Sequence, residues 1–260
     1  MKPLILISND DGINSPGLKA AVEAVFKLGD IIVAAPHEQQ TGMGRAFPRT
    51  EDLGTIEEVL IQIGDNEISG YAVHGSPAYA VAHGVLELSD RKPDLCISGI
   101  NYGENLGMIP TCSGTVGACF EAVSHGIPAI AFSIQIDFEN QRKNTFEEID
   151  WTEAKLIVRY WAEKFFREGM PKGVDLLNIN LPFAMEDADA YRITKMSNQN
   201  YYEFIRPPKR DFSKPFLLQS ELKVHMDQLE KDSDIYAVYV DHITAVTPMS
   251  CDMSVNIGQY

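Results

Sequence analysis

The sequence predicts an α/β fold: a Rossmann-like, mainly parallel sheet with helices on both faces, plus a C-terminal β-hairpin or arm. Three observations predict it. Short apolar runs alternate with helical-period segments through the first two-thirds of the chain, the pattern of successive βαβ units. The apolar runs are continuous rather than alternating, as strands buried on both faces require. From about Ala184 the rhythm stops, and Pro207, Pro208, Pro215 and the polar run Arg206 to Lys214 take over.

The elements follow in order. Leu4 to Ser8 is a β-branched apolar strand, closed by the turn Asn9-Asp10-Asp11-Gly12. Pro16 to Leu28 carries Leu18, Ala21, Val22, Val25 and Phe26 at helical spacing, with Pro16 suited to a first turn and Gly29 to the stop. Ile31 to Ala35 is a second strand. Ile56 to Ile63 and Ile68 to Val73 pair as a hairpin across the turn-rich Gly64-Asp65-Asn66. Ser76 to Leu88 reads as a helix, Asp94 to Ser98 as a strand, Thr115 to His125 as a helix, and Ala129 to Ile134 as a strand. An amphipathic helix spans Trp151 to Arg167, and a strand spans Leu176 to Asn180. The division expected is an α/β core over 1–183 and a hairpin-bearing arm over 184–260 that is not an independent domain.

Composition narrows the function. A chain of 260 residues buries a core without staples. Its 22 basic and 37 acidic residues give a net charge of -15, which repels nucleic-acid polymers. A small phosphorylated substrate then needs a local counter-charge, such as a metal ion or backbone N–H groups. Cys96, Cys112, Cys119 and Cys251 form no CxxC pair, which disfavours a zinc ribbon. No leader and no apolar stretch long enough to span a bilayer is apparent. The expectation is a cytoplasmic protein with reduced thiols that engages no membrane.

Ligands of an open parallel sheet bind beyond the carboxyl ends of its strands. The first strand ends on Asp10 and Asp11, whose mutual repulsion a divalent cation relieves. The same residues also suit an Asx-rich turn capping the next helix. The second strand leads into the polar loop Pro36 to Gly44, where Thr41 offers a hydroxyl. Ser98 to Gly107 holds three glycines, Gly99, Gly103 and Gly107, and places Asn101, a neutral oxygen donor, after a strand. Ser113-Gly114-Thr115 opens a helix; its N–H groups and hydroxyls suit an anion, although a plain N-cap is the simpler role. The six histidines show no ligand spacing, and His74 and His83 read as structural. Trp151 and Trp161 read as core or interface residues.

Taken together, Ile5 to Gly12, Ala34-Ala-Pro36, Gly75-Ser-Pro-Ala78, Pro93 to Gly107, Ser113 to Ala118 and Asn178-Ile-Asn-Leu-Pro182 resemble the SurE family, the stationary-phase survival proteins that are metal-dependent 5′-nucleotidases. Each segment is weak alone, but their order and spacing are specific. The resemblance implies one divalent ion per subunit, Mg²⁺ or Mn²⁺, held by Asp10, Asp11, Asn101 and the loop position occupied by Thr41. It implies phosphate binding by Ser113, Gly114 and Thr115, a site lined also by Asn9, and catalysis centred on Asp10 and Asp11. A metal-polarised water and an aspartate oxygen are both competent nucleophiles. The expected substrate is a nucleoside monophosphate; whether short polyphosphate is also cut is left open by the sequence. The expected assembly is a homodimer or homotetramer with exchanged C-terminal segments. The chain departs from the family pattern at three places. Thr41 replaces a serine, Tyr79 replaces an acidic residue after Gly75-Ser-Pro-Ala78, and the spacing between Ser233 to Val238 and Val246-Thr-Pro248 is loosened.

Two rivals stand beside this reading. A receiver-type phosphoacceptor would need a third aspartate where Asn101 stands and a much shorter chain. A nucleotide-binding protein of the same fold with little turnover would bind the same ligands and release no phosphate.

Overall fold

The computed structural model describes residues 2–137, 146, 148–184 and 190–254. The chain runs β1 (Leu4–Ser8), α1 (Pro16–Val25), β2 (Asp30–Pro36), β3 (Ile56–Ile63), β4 (Asn66–Val73), α2 (Pro77–Leu86), β5 (Leu95–Tyr102), α3 (Gly114–Ser124), β6 (Ala129–Ile134), α4 (Thr152–Glu168) and β7 (Leu176–Leu181). It continues through β8 (Tyr191–Ile193), β9 (Tyr202–Phe204), β10 (Ser220–Leu222) and β11 (Thr244–Met249).

Among the described residues the main sheet has nine strands, in the order β3-β4-β2-β1-β5-β6-β7-β11-β8. The run from β4 to β7 is parallel throughout. β3 is antiparallel to β4, and β11 is antiparallel to β7. Strand order therefore reverses at the β1–β5 boundary, where such sheets open a crevice for ligands.

Burial explains the layering. All five residues of β1 are buried. Ile5 and Ile7 pack with Leu18 and Val22 of α1 and with Val158 and Trp161 of α4. Leu6 points to the other face, against Val81 of α2 and Val116 and Cys119 of α3. A continuous apolar strand between two helical layers is what both-face burial demands. No helix among the described residues is long and apolar enough to cross a membrane.

The boundaries differ from expectation in instructive ways. α1 stops at Val25 rather than Leu28, because Leu28 N–H turns back to Val25 O at 2.8 Å and Asp30 N–H already bonds Pro3 O at 2.8 Å. The hairpin is tighter than expected: Ile63 pairs with Asn66, leaving a two-residue turn that begins on Gly64 at φ 57°. β5 runs past Ser98 to Tyr102, through an irregularity between Ser98 and Asn101. The segment expected to be an arm does contain a two-stranded β9–β10 pair. It then returns to the main sheet, where β11, with Ala245 and Val246 fully buried, adds beside β7.

Candidate metal and phosphate site

The turn after β1 is built by Asn9. Its side-chain amide donates to Gly12 O at 2.9 Å, and Gly12 N–H donates to Asn9 Oδ1 at 3.2 Å. Gly12 adopts φ 95°, which a side chain would strain. This closed Asx turn holds Asp10 and Asp11 almost wholly out of solvent, at 3% and 4% exposure.

Each carboxylate is fixed by neighbours from other elements. Thr115 Oγ1 donates to Asp10 Oδ1 at 2.6 Å. The backbone N–H groups of Gly114 and Thr115 at the start of α3 also favour the ionised Asp10. Gly114 makes this approach possible: a Cβ there would lie 2.7 Å from Asp10 Cβ. Asp11 Oδ2 accepts from Tyr102 N–H at 3.0 Å, and Asp11 Oδ1 accepts weakly from the Gln39 amide at 3.4 Å. Burial nevertheless pushes both carboxyls above the ordinary range, and the Asp10 charge pushes Asp11 further. The donors that oppose this shift, from Thr115, Gly114, Tyr102 and Gln39, are all neutral.

Asp10, Thr41, Asn101 and Ser113 line one cavity of about 530 Å³. Asn101 turns its amide nitrogen to Gly103 O at 2.6 Å, which leaves Oδ1 as the atom able to ligate a cation. The loop carrying Thr41 is tied down at both ends, by Gln40 N–H to Asp10 O at 2.7 Å and Gly44 N–H to Cys112 O at 2.9 Å. Ser113 is the N-cap of α3 and accepts from Val116 N–H at 3.2 Å. The wall formed by residues 103–107 is held from β7: Asn180 Oδ1 accepts from Asn105 N–H at 2.7 Å, and the Asn178 amide donates to Asn105 O at 2.9 Å. The Asn178-Ile-Asn180 motif is thus a brace for the pocket.

Several expected residues have other roles. Asn9 serves its own turn rather than the cavity wall. Thr115 is fully buried, and its hydroxyl holds Asp10. The cavity also gains residues that the sequence reading missed. Tyr202 and Phe204 of β9 line it together with Met108 and Ile109, and Tyr202 Oη donates to the buried Glu104 Oε1 at 2.5 Å. Glu104 lies inside a glycine-rich segment already singled out, but nothing in local spacing links it to Tyr202, 98 residues on.

A family model described as survival protein SurE matches residues 5–203. The chain belongs to the SurE family. Its SurE relatives include the protein named 5′-nucleotidase SurE of Methanosphaera stadtmanae, 38% identical over 98% of each chain. The protein of the same name from Methanosarcina mazei is 34% identical over 99% of this chain and 95% of its own. A crystal structure of the SurE protein from Aquifex aeolicus superposes with a TM-score of 0.75 at 30% identity, covering 97% of this chain and 95% of that one.

The SurE nucleotidases are metal-dependent, and the residues present here fit a metal. Two adjacent buried carboxylates with only neutral hydrogen-bond donors form an under-compensated anion pair. An amide oxygen and a hydroxyl line the same cavity. An all-oxygen donor set of this kind suits a hard divalent cation.

Proposed function

We propose that this chain is a metal-dependent 5′-nucleotidase that hydrolyses nucleoside 5′-monophosphates to nucleoside and phosphate. The observation that carries the reading is the buried Asp10–Asp11 pair, with Asp10 held against the N-terminus of α3 and lining a cavity with Thr41, Asn101 and Ser113. The names printed for the relatives point to the same activity.

Asp10, Asp11 and Asn101 would hold one Mg²⁺ or Mn²⁺, with Thr41 supplying a fourth oxygen. When bound, such a cation neutralises phosphate charge and polarises the phosphoryl oxygens. The rest of the chemistry belongs to the chain. The start of α3, with the Ser113 hydroxyl, gives a partial positive charge where charge builds on the non-bridging oxygens. Thr115 occupies Asp10 Oδ1 and thereby aims Oδ2. Asp10 Oδ2 is placed to orient the attacking water and take its proton as the new O–P bond forms. The bond from phosphorus to the ribose oxygen breaks, that oxygen takes a proton from solvent, and Asp10 returns its own to solvent as phosphate and nucleoside leave. Tyr202, Phe204, Met108 and Ile109 offer an aromatic and apolar surface for the nucleoside.

The segment from residue 184 serves assembly in this reading. Phe212 and Leu217 are 87% and 88% exposed between β9 and β10, and a second copy in a dimer or tetramer would cover them.

The test is phosphate release from a panel of nucleoside monophosphates with Mg²⁺ or Mn²⁺. Release that EDTA abolishes and added metal restores supports the reading. Tight nucleotide binding without release would instead mark a nucleotide-binding protein of the same fold.

A further inference from the structure

Strand register gathers a second set of ligand-type side chains apart from the acidic pair. β2 and β4 run parallel with Pro36 opposite Val73, so His37 and His74 leave the sheet side by side. His37 N–H donates to Val73 O at 2.9 Å, and the two imidazoles stack with centroids 4.3 Å apart. β3 lies antiparallel to β4 with Glu57 opposite Ala72. Residues two apart on a strand share a face, so Glu57 arrives on the face of His74. Glu57 Oε1 is 2.9 Å from His74 Nε2 and 3.7 Å from His37 Nε2. On the other side of the ring, His74 Nδ1 is 2.7 Å from Asp52 Oδ2. His37, His74 and Asp52 line a cavity of about 280 Å³. The His37, Glu57 and His74 side chains are 43%, 53% and 19% exposed, which leaves them open to an incoming ion.

We propose that His37, Glu57 and His74 bind a divalent transition-metal ion of the zinc class, with Asp52 as the positioning residue that fixes His74.

Two imidazoles and one carboxylate form a donor set used for zinc with an open fourth position. Nitrogen ligands select zinc, cobalt, nickel or copper over magnesium, so the site differs in kind from the all-oxygen set around Asp10. One ligand atom from each of the three residues lies within 4.8 Å of the others. The Asp52–His74 contact is the carboxylate–histidine pairing that supports metal-bound imidazoles: it keeps the proton on Nδ1 and presents Nε2. An imidazole ligates through an unprotonated nitrogen, so binding releases any proton held on Nε2 to solvent. Glu57 comes from within a strand and both histidines from positions directly after strands, which preorganises the set. Sequence spacing hides it, since 37 positions separate the two histidines.

The probes are Zn²⁺ and Co²⁺, added to the untagged full chain carrying Asp10→Asn and Asp11→Asn, in excess Mg²⁺. The expected result is one equivalent bound per chain, with visible d–d absorption from Co²⁺ in a nitrogen-containing site of low coordination number. His37→Ala and Glu57→Gln should each weaken binding at least tenfold, and Asp52→Asn by about 10–100-fold. His37 and Glu57 are partly exposed, so their variants keep the fold and remain informative even if His74→Ala does not. Absence of stoichiometric Zn²⁺ binding would overturn the proposal. So would binding that survives His37→Ala combined with Glu57→Gln.

Discussion

Asp11 sits in the least favourable electrostatic position of the proposed site, buried and beside the charge of Asp10. Asp11→Asn removes that repulsion and keeps the shape. It should abolish phosphate release by orders of magnitude while raising the melting temperature of the EDTA-treated protein. An unchanged activity would remove Asp11 from the metal set. The pH dependence follows from the same shifts. Both carboxyls titrate above their unfolded values, so the folded chain binds protons more tightly than the unfolded one. The contribution of this pair to metal-free stability is therefore fully present below about pH 4 and is lost as pH rises through about 6 for Asp10 and about 8 for Asp11. In thermal melts in EDTA across that range, the gain in melting temperature of Asp11→Asn over the parent should grow as pH rises; a pH-independent difference would contradict the assignment. Thr41 is the next informative residue. Thr41→Ser keeps the hydroxyl and should change the metal titration of activity little. Thr41→Val keeps the shape, loses the oxygen and should weaken metal affinity. Equal titrations for the parent and the valine variant would reduce the ligands to Asp10, Asp11 and Asn101.

At the scale of elements, the first turn of α3 does several jobs at once. Ser113 caps it, Gly114 lets it touch Asp10, and Thr115 holds Asp10 Oδ1. Ser113→Ala and Ser113→Gly separate capping from chemistry. Alanine at an N-cap costs about 0.5–2 kcal/mol, whereas glycine costs a few tenths. If the hydroxyl acts on phosphate, both variants should lose kcat alike, although only the alanine variant should lose stability; recovery of kcat with glycine would leave Ser113 a cap alone. Gly114→Ala places a methyl against Asp10 and should destabilise the fold by about 1–3 kcal/mol. The displaced carboxylate should cost about 100-fold in kcat. The helix start at Ser113-Gly114-Thr115 was legible in the sequence because cap and anion-site chemistry share one signature. The target of the Thr115 hydroxyl was not, since Asp10 lies 105 residues away and only the strand order brings them together. β11 escaped recognition for another reason: it contains Pro248, which argues against a sheet-interior strand, yet it packs fully buried Ala245 and Val246 beside β7.

At the scale of the molecule, continuous apolar strands and helical periodicity made the parallel core legible. They carry no information about contacts between distant strand ends. Hence Asp10, Thr41, Asn101 and Ser113 could be gathered by family motifs, while the side-by-side placement of His37 and His74 depends on the β2–β4 register. The exposed aromatic residues of the hairpin carry the assembly prediction. Phe212→Ser with Leu217→Ser should shift light-scattering mass towards the monomer without unfolding the core; an unchanged mass would place the interface elsewhere. The central claim is that a buried oxygen-ligand site on Asp10 and Asp11 drives phosphate-ester hydrolysis. Its most direct test is phosphate release from a nucleoside 5′-monophosphate, followed in parallel for the parent and Asp11→Asn through EDTA removal and Mg²⁺ or Mn²⁺ readdition. The account predicts release by the parent that disappears with EDTA and returns with metal, and none from Asp11→Asn under any condition. Release by the parent that persists in EDTA, or metal-restored release from Asp11→Asn, would contradict it.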